Sequence, residues 1–316
     1  GNKMNKLRIR IIFFLTYIRT RVVYSIQFAK CRVLELLYSR YLYRIAKRDV
    51  SPIFIVGCGR SGNTVLARLL HENSGVCFRP ENYTLKEVYY VYLKNIKKPW
   101  GIRVDAILTV LYSQEDIWRW KDVKRSVVLE RALNSKEHTL GNIIDCWYMT
   151  YLEAIGFTPP VWGCKTPNVT PYMPKLLKIF PNAKFIYIIR NYKDTAQSYI
   201  KARILKNNFI GSILSLIKYR YFLFYANERM VNIVVDYETL ANSPSDSIQK
   251  INEKIGLKSN KKIKYNNPDS TYQHLLSVND DIDGSKKYTT YDFNNSDTLV
   301  LEFDYRSIVQ KSELLK

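Results

Sequence analysis

Pro52-Ile53-Phe54-Ile55-Val56-Gly57-Cys58-Gly59-Arg60-Ser61-Gly62-Asn63-Thr64 is the stretch that decides the fold. Ile53 to Val56 is an unbroken β-branched and aromatic run, the composition of a short buried strand. Val65-Leu66-Ala67-Arg68-Leu69-Leu70 follows the loop and reads as a helix. A strand, a glycine-rich turn and a helix make a phosphate cradle: glycines let the backbone approach an anion, and the helix N-terminus offers free N–H groups. The spacing is close to Gly-x4-Gly-Lys-[Ser/Thr], the nucleotide-triphosphatase loop. Asn63 stands where that loop has its lysine, and a cation sits three residues earlier as Arg60. This substitution weakens a kinase or ATPase reading.

A second element of the same design lies downstream. Phe185-Ile186-Tyr187-Ile188-Ile189 reads as a buried strand and ends at Arg190-Asn191, before a helix carrying Ser198. Arg190 offers a planar fork to a phosphate, and a serine two helical turns further on can face the same anion. Two further segments are Val161-Trp162-Gly163-Cys164-Lys165-Thr166-Pro167 and, later, Ile233-Val234-Val235-Asp236.

Together these segments resemble the sulfotransferases that use 3′-phosphoadenosine 5′-phosphosulfate (PAPS). The resemblance spans roughly residues 51–257. It implies an α/β fold with a P-loop-like central parallel sheet flanked by helices, with a short strand ending at Lys165 and a late strand over 233–236. It also implies PAPS as cofactor, with adenosine 3′,5′-bisphosphate (PAP) as product. Gly59, Arg60, Ser61, Gly62, Asn63 and Thr64 would hold the 5′-phosphosulfate, and Arg190 and Ser198 the 3′-phosphate. Ser285 and Lys286, in a late polar stretch, would close over the nucleotide. Arg60 and Lys165 would serve as cations at the transferred group, and Glu81, after the first helix, as the base. Where some relatives carry another arginine this chain has Ala202, between Lys201 and Arg203. Glu72, Glu87 and His71 are lesser rivals for the base. His71, at the end of the first helix, fits packing better, and His138 and His274 have no supporting motif. No metal site is legible, for want of a Cys-x-x-Cys or a histidine pair at ligand spacing.

The resemblance implies transfer of a sulfuryl group from PAPS to an acceptor hydroxyl, a saccharide or glycolipid first and a tyrosyl peptide as the alternative. An NTP-dependent kinase or a non-catalytic binder of membranes or nucleotides ranks lower. Residues 82–160 read as a helical insertion on the acceptor side. Tyrosines between Glu87 and Lys94, with Trp100, Trp118, Trp120 and Trp147, suit sugar stacking and a helical core equally.

The 316 residues carry 49 Lys or Arg against 28 Asp or Glu, a formal charge of +21. Apolar residues reach 47% and aromatics 14%, which excludes disorder and supplies a sizeable core. Five scattered cysteines do not make a disulfide scaffold. The charge calls for an anionic partner, and nearly half of it sits in residues 1–50, with 12 basic and 2 acidic residues. From Asn2 to Ser51 there is neither Gly nor Pro, so a continuous helix is expected. Arg8, Arg19, Lys30 and Arg44 form one stripe, and Arg10, Arg21 and Arg32 another. Between them lies a wide apolar arc of Ile9, Phe13, Tyr17, Tyr24, Leu34, Tyr38, Leu42 and Ile45. Residues 7–48 therefore read either as a helix on an anionic membrane or as one packed on protein, in its own domain or a homo-oligomer. The apolar runs 11–18 and 22–29 are too short to span. Nucleic acid is not the expected partner. Unpaired-looking cysteines, and a glycosylation sequon at Asn82 beside Glu81, favour a cytoplasmic location, peripheral on the membrane. The alternative is a Golgi enzyme shorn of its anchor. The expected division is a basic helical segment at 1–50 and a catalytic domain at 51–316.

Overall fold

A computed structural model describes residues 2–79, 81–114, 123–157, 161–202, 204–205, 209–227 and 229–257. Ser285 and Lys286, expected over the nucleotide, lie outside the described residues, as do Arg203, Trp118, Trp120 and His274.

Five parallel strands form one sheet: β1 (Ile53–Gly57), β2 (Cys77–Arg79), β3 (Trp162–Lys165), β4 (Lys184–Ile189) and β5 (Ile233–Asp236). Their order is β2-β3-β1-β4-β5. β1 is hydrogen-bonded on both edges, with Ile53 opposite Gly163 of β3 and Lys184 of β4. Alternation along the strands divides the core in two, since successive side chains point to opposite faces. Phe54 and Val56 of β1 and Phe185, Tyr187 and Ile189 of β4 join the larger cluster. Ile53 and Ile55, with Ile186 and Ile188, join the smaller one. Both faces are covered, which is why these strands read as unbroken apolar runs.

The smaller cluster is closed by α2 (Asn63–Ser74) and α11 (Pro244–Ile255), the latter presenting Ile248, Ile251 and Ile255 at helical spacing. Ser74 Oγ donates to Asn252 Oδ1 at 2.7 Å and ties the two helices together. The larger cluster is closed by α3 (Leu85–Asn95), α4 (Trp100–Tyr112), α5 (Arg125–Leu133) and α6 (Leu140–Ala154), all between β2 and β3. The aromatics of this region are mostly core. Tyr89, Tyr92 and Trp147 are buried, and Trp100 stacks on the His138 ring with centroids 4.7 Å apart. Further helices among the described residues are α7 (Met173–Ile179), α8 (Tyr192–Lys201), α9 (Phe209–Leu223) and α10 (Tyr237–Asn242).

The N-terminal segment departs from the expected single helix. α1 runs from Asn2 to Leu37, and a 3-10 helix follows over Ser39–Arg44. Tertiary anchors rather than a breaker residue end the α-helix. Arg44 donates to the Ile96 carbonyl at 2.9 Å, and Tyr92 OH to the Arg44 carbonyl at 2.8 Å. Gly141 N donates to the Ile45 carbonyl, and Lys47 N to that of Ile179. Ile45 is thereby buried. Much of the wide apolar arc also lies against the domain: Tyr24, Leu34, Tyr38 and Leu42 pack on the larger cluster. The side chains of Ile9, Phe13 and Tyr17 lie outside the description.

Glu35 fastens α1 to the domain. It is 6% exposed. Oε1 accepts from Tyr89 OH at 2.6 Å and Lys178 Nζ at 2.5 Å, and Oε2 accepts from Arg32 at 3.2 Å. Burial pushes the Glu35 carboxyl up, but Lys178, Tyr89 and Arg32 together bring it below the usual carboxylate value. A carboxyl depressed in the folded state contributes fully above its unfolded pKa, and the contribution is lost as pH falls through the folded value. Glu35→Ala should cost about 1–3 kcal/mol in urea melts at neutral pH. Glu35→Gln should flatten the acid side of the Tm–pH profile; an acid limb as steep as that of the parent would assign the dependence to other carboxyls.

Candidate active site

All five strands point the same way, so their carboxyl ends share one edge of the sheet. In such sheets the ligand crevice lies outside that edge, where strand order reverses. β1 occupies the reversal, between β3 and β4. The candidate residues follow the strand ends in turn: Gly59 to Thr64 after β1, Glu81 after β2, Lys165 closing β3, Arg190 after β4 and Tyr237 after β5.

The loop after β1 is held in a tight conformation. Gly62 caps α2 with φ +92°, and a Cβ there would run into the Tyr237 ring. A Cβ on Gly59 would lie 2.5 Å from the Tyr199 hydroxyl. Arg60 has φ +64°, a left-handed conformation that costs a non-glycine residue roughly 1–2 kcal/mol. Two anchors hold it there. Asn63 Nδ2 donates to the Cys58 carbonyl at 2.8 Å, closing the loop on itself. Arg60 Nε donates to Ser198 Oγ of α8 at 3.0 Å. Arg60 and Ser198, chosen for opposite ends of a nucleotide, are thus bonded to each other. Thr170 Oγ1 accepts from Gly57 N at 2.9 Å and ties the end of β1 to the 3-10 helix Pro167–Tyr172. Cys58 is buried, and burial pushes its thiol up to about 12, so no thiolate nucleophile exists there near neutral pH.

Glu81 and Lys165 meet across the ends of β2 and β3. Lys165 Nζ lies 2.8 Å from Glu81 Oε1, with the lysine 9% and the glutamate 21% exposed in their side chains. Tyr83 OH donates to Glu81 Oε2. The backbone on either side is pinned: Asn82 N donates to Thr166 Oγ1 at 3.0 Å, and Asn82 Oδ1 accepts from Thr84 N and Oγ1. Asn82 is fully buried, so the folded chain leaves no room for a glycan at that sequon. Of Arg79 only the backbone is described.

Arg190 lies over the Tyr237 ring, 4.4 Å from its centroid, and Tyr219 OH donates to the Arg190 carbonyl at 2.7 Å. Asn191 caps α8 through its side chain, and its N–H donates to Glu238 Oε1 at 3.1 Å. Ala202 closes α8. The lesser candidates sit elsewhere or are engaged. His71 is buried, with Nδ1 3.0 Å from the Val76 carbonyl; Glu72 is exposed, and Glu87 is a surface residue near Lys86.

The donor set fits a phosphate-bearing group. Among the described residues, Ser61 Oγ, Thr195 Oγ1 and Arg190 Nε are buried polar atoms without a hydrogen-bond partner in or beside the two loops that follow β1 and β4, and others lie elsewhere in the core. Such atoms are costly in a folded interior unless a ligand or water satisfies them. Tyr83, Tyr199 and Tyr237 were not anticipated from sequence. In a chain with 25 tyrosines, nothing local separates these three from the rest.

A search of curated proteins gave no match. Among solved structures, the sulfotransferase domain of the Synechococcus PCC 7002 olefin synthase is 14% identical, covers 85% of this chain and 96% of its own, and superposes with a TM-score of 0.49. The sulfotransferase domain from the curacin biosynthetic pathway is 17% identical over 67% of this chain and 76% of its own, with a TM-score of 0.43. Sulfotransferase STF9 from Mycobacterium avium is 14% identical over 90% and 81%, at 0.41. The sulfotransferase family model matches residues 52–261, from the first residue of the phosphate-loop segment to just beyond α11. That match covers well over half of the sequence, and the chain belongs to the sulfotransferase family.

Proposed function

We propose that this enzyme transfers a sulfuryl group from PAPS to a hydroxyl of an acceptor, a carbohydrate or glycolipid. The observation that carries the reading is the placement of two cation-bearing loops and one carboxylate on the same sheet edge. Arg60 follows β1, Arg190 follows β4, and Glu81 follows β2 with Lys165 against it. When bound, PAPS supplies an activated sulfuryl group and departs as PAP.

In this reading the N–H groups opening α2 and the Ser61 hydroxyl hold the 5′-phosphosulfate, with Gly59, Gly62, Asn63 and Thr64 shaping the loop. Arg190 presents its fork to the 3′-phosphate from the face of Tyr237, and Ser198 steadies Arg60. Glu81 accepts the acceptor's proton as its oxygen bonds to sulfur. The bond from sulfur to the phosphate oxygen breaks, and Arg60 and Lys165 bear the charge that develops on that oxygen. Lys165 plays a second part: its 2.8 Å contact holds Glu81 in place before the acceptor arrives. The kinase alternative loses support because the Asn63 amide is turned back onto the Cys58 carbonyl. A tyrosyl peptide remains the alternative acceptor, and a screen of acceptors with labelled PAPS separates it from saccharides. Five buried free thiols favour a reducing, cytoplasmic setting.

PAP should raise the melting temperature well beyond what ATP or GTP achieves, as read by differential scanning fluorimetry. Equal shifts from all three would remove the PAPS assignment. Arg190→Ala should weaken PAP binding by about 1–3 kcal/mol in calorimetry, since charge-assisted bonds to phosphate are of that size. Glu81→Gln should bind PAP normally yet lose turnover by roughly 10²–10⁴-fold; turnover within a few fold of the parent would disqualify it as the base.

A further inference from the structure

The arc of α1 opposite the domain is also apolar. Leu15, Ile18, Val22, Ile26, Val33 and Leu36 are between 39% and 70% exposed. At about 100° per residue, Leu15, Val22, Ile26 and Val33 fall within roughly 20° of one line. Ile18 and Leu36 fall on a second line about 60° away. The stripe runs parallel to the helix axis for about 30 Å at 1.5 Å per residue. From Tyr24 to Glu35 the opposite side of the same helix packs on protein. Tyr24 stacks on Tyr221, Gln27 accepts from Tyr172 OH, and Cys31 and Glu35 are buried. α1 therefore has two apolar faces, one of them with no partner among the described residues.

The borders of the outer face are basic. Arg19 and Lys30 lie on one side and Arg32 on the other, all exposed. Over Asn2–Leu37 there are eight Lys or Arg and a single acid, Glu35, which is turned inward. This charge pattern selects the occupant. A second copy laid on the same face would set basic rims together, and the single carboxylate of each helix, Glu35, is already shared by Arg32, Tyr89 and Lys178. An anionic lipid surface takes the apolar stripe into its acyl boundary, and the long basic side chains reach the headgroups. Among the described residues no helix is long and apolar enough to cross a membrane, so α1 would lie in the interface plane.

We propose that the outer face of α1, from Leu15 to Leu36, docks the protein on an anionic membrane surface. The face differs from the arc legible in the sequence, which is the one packed on the domain, and the proposal does not depend on the sulfotransferase reaction.

The test is co-sedimentation of the full chain with vesicles of phosphatidylcholine alone and with roughly a quarter phosphatidylserine, at about 0.1 M salt. The chain should pellet with the anionic vesicles and stay in solution with the neutral ones. The triple variant Val22→Glu, Ile26→Glu, Val33→Glu should lower the vesicle partition coefficient by roughly tenfold or more, with the melting temperature unchanged because those side chains are exposed. Arg19→Gln with Lys30→Gln should lower it by a similar factor. If the triple variant melts early, this charge pair decides the outcome. Failure of the intact chain to pellet would overturn the proposal, as would partitioning indifferent to these changes. A dimer in light scattering that the triple variant dissociates would also overturn it, by giving the face to a second copy.

Discussion

The position of β1, hydrogen-bonded on one edge to β3 and on the other to β4, is the constraint on which the rest of the molecule rests. A strand flanked on both edges and covered on both faces must be apolar throughout, as Ile53 to Val56 are. It must also release its chain only at its end. The loop Gly57–Gly62 therefore emerges at the reversal of strand order, and the neighbouring strands deliver Lys165 and Arg190 to the same edge. Parallel pairing does this without any contact between the residues themselves, since the strands share a direction and a register.

What the sheet brings together, side chains then lock. Arg60 bonds Ser198, Lys165 pairs with Glu81, and Arg190 lies on Tyr237. Each cation at the edge has a partner from a different strand-end or helix. The left-handed Arg60 survives because Asn63 and Ser198 hold the loop from two sides. Among the buried polar atoms of the described residues that lack a hydrogen-bond partner, Ser61 Oγ, Thr195 Oγ1 and Arg190 Nε lie in or next to the two loops behind β1 and β4. Donors of this kind gain from an anionic group that accepts from them.

The charge surplus divides along the same lines. Arg60, Lys165 and Arg190 lie at the sheet edge, where anionic groups would be held. The basic residues of α1 lie on a helix whose inner face is fastened by Glu35, Tyr89 and Lys178. With that face packed on the domain, the described side chains that α1 leaves exposed are those of the rims and the outer stripe.

Much of the fold was legible because its signals are local. Four of the five strands are short apolar runs ending in a turn or a charge, and β1 and β4 carry their phosphate-type loops directly behind them. The order of Arg60, Lys165 and Arg190 along the chain could be read for the same reason. Three things could not. The break at Leu37 has no Gly or Pro to announce it and arises from hydrogen bonds to Ile96, Gly141 and Ile179, far away in sequence. The pairing of Glu81 with Lys165 joins residues 84 positions apart, and the sequence offers either of them other partners. Which face of α1 is free was also hidden, because both faces are apolar and periodicity records only that they are. The sequence by itself determined four of the strands, the glycine-rich loop behind the first of them and the family. Tertiary packing alone decided which carboxylate meets which cation and which side of α1 is left for another surface, because those choices rest on contacts between segments that no local pattern encodes.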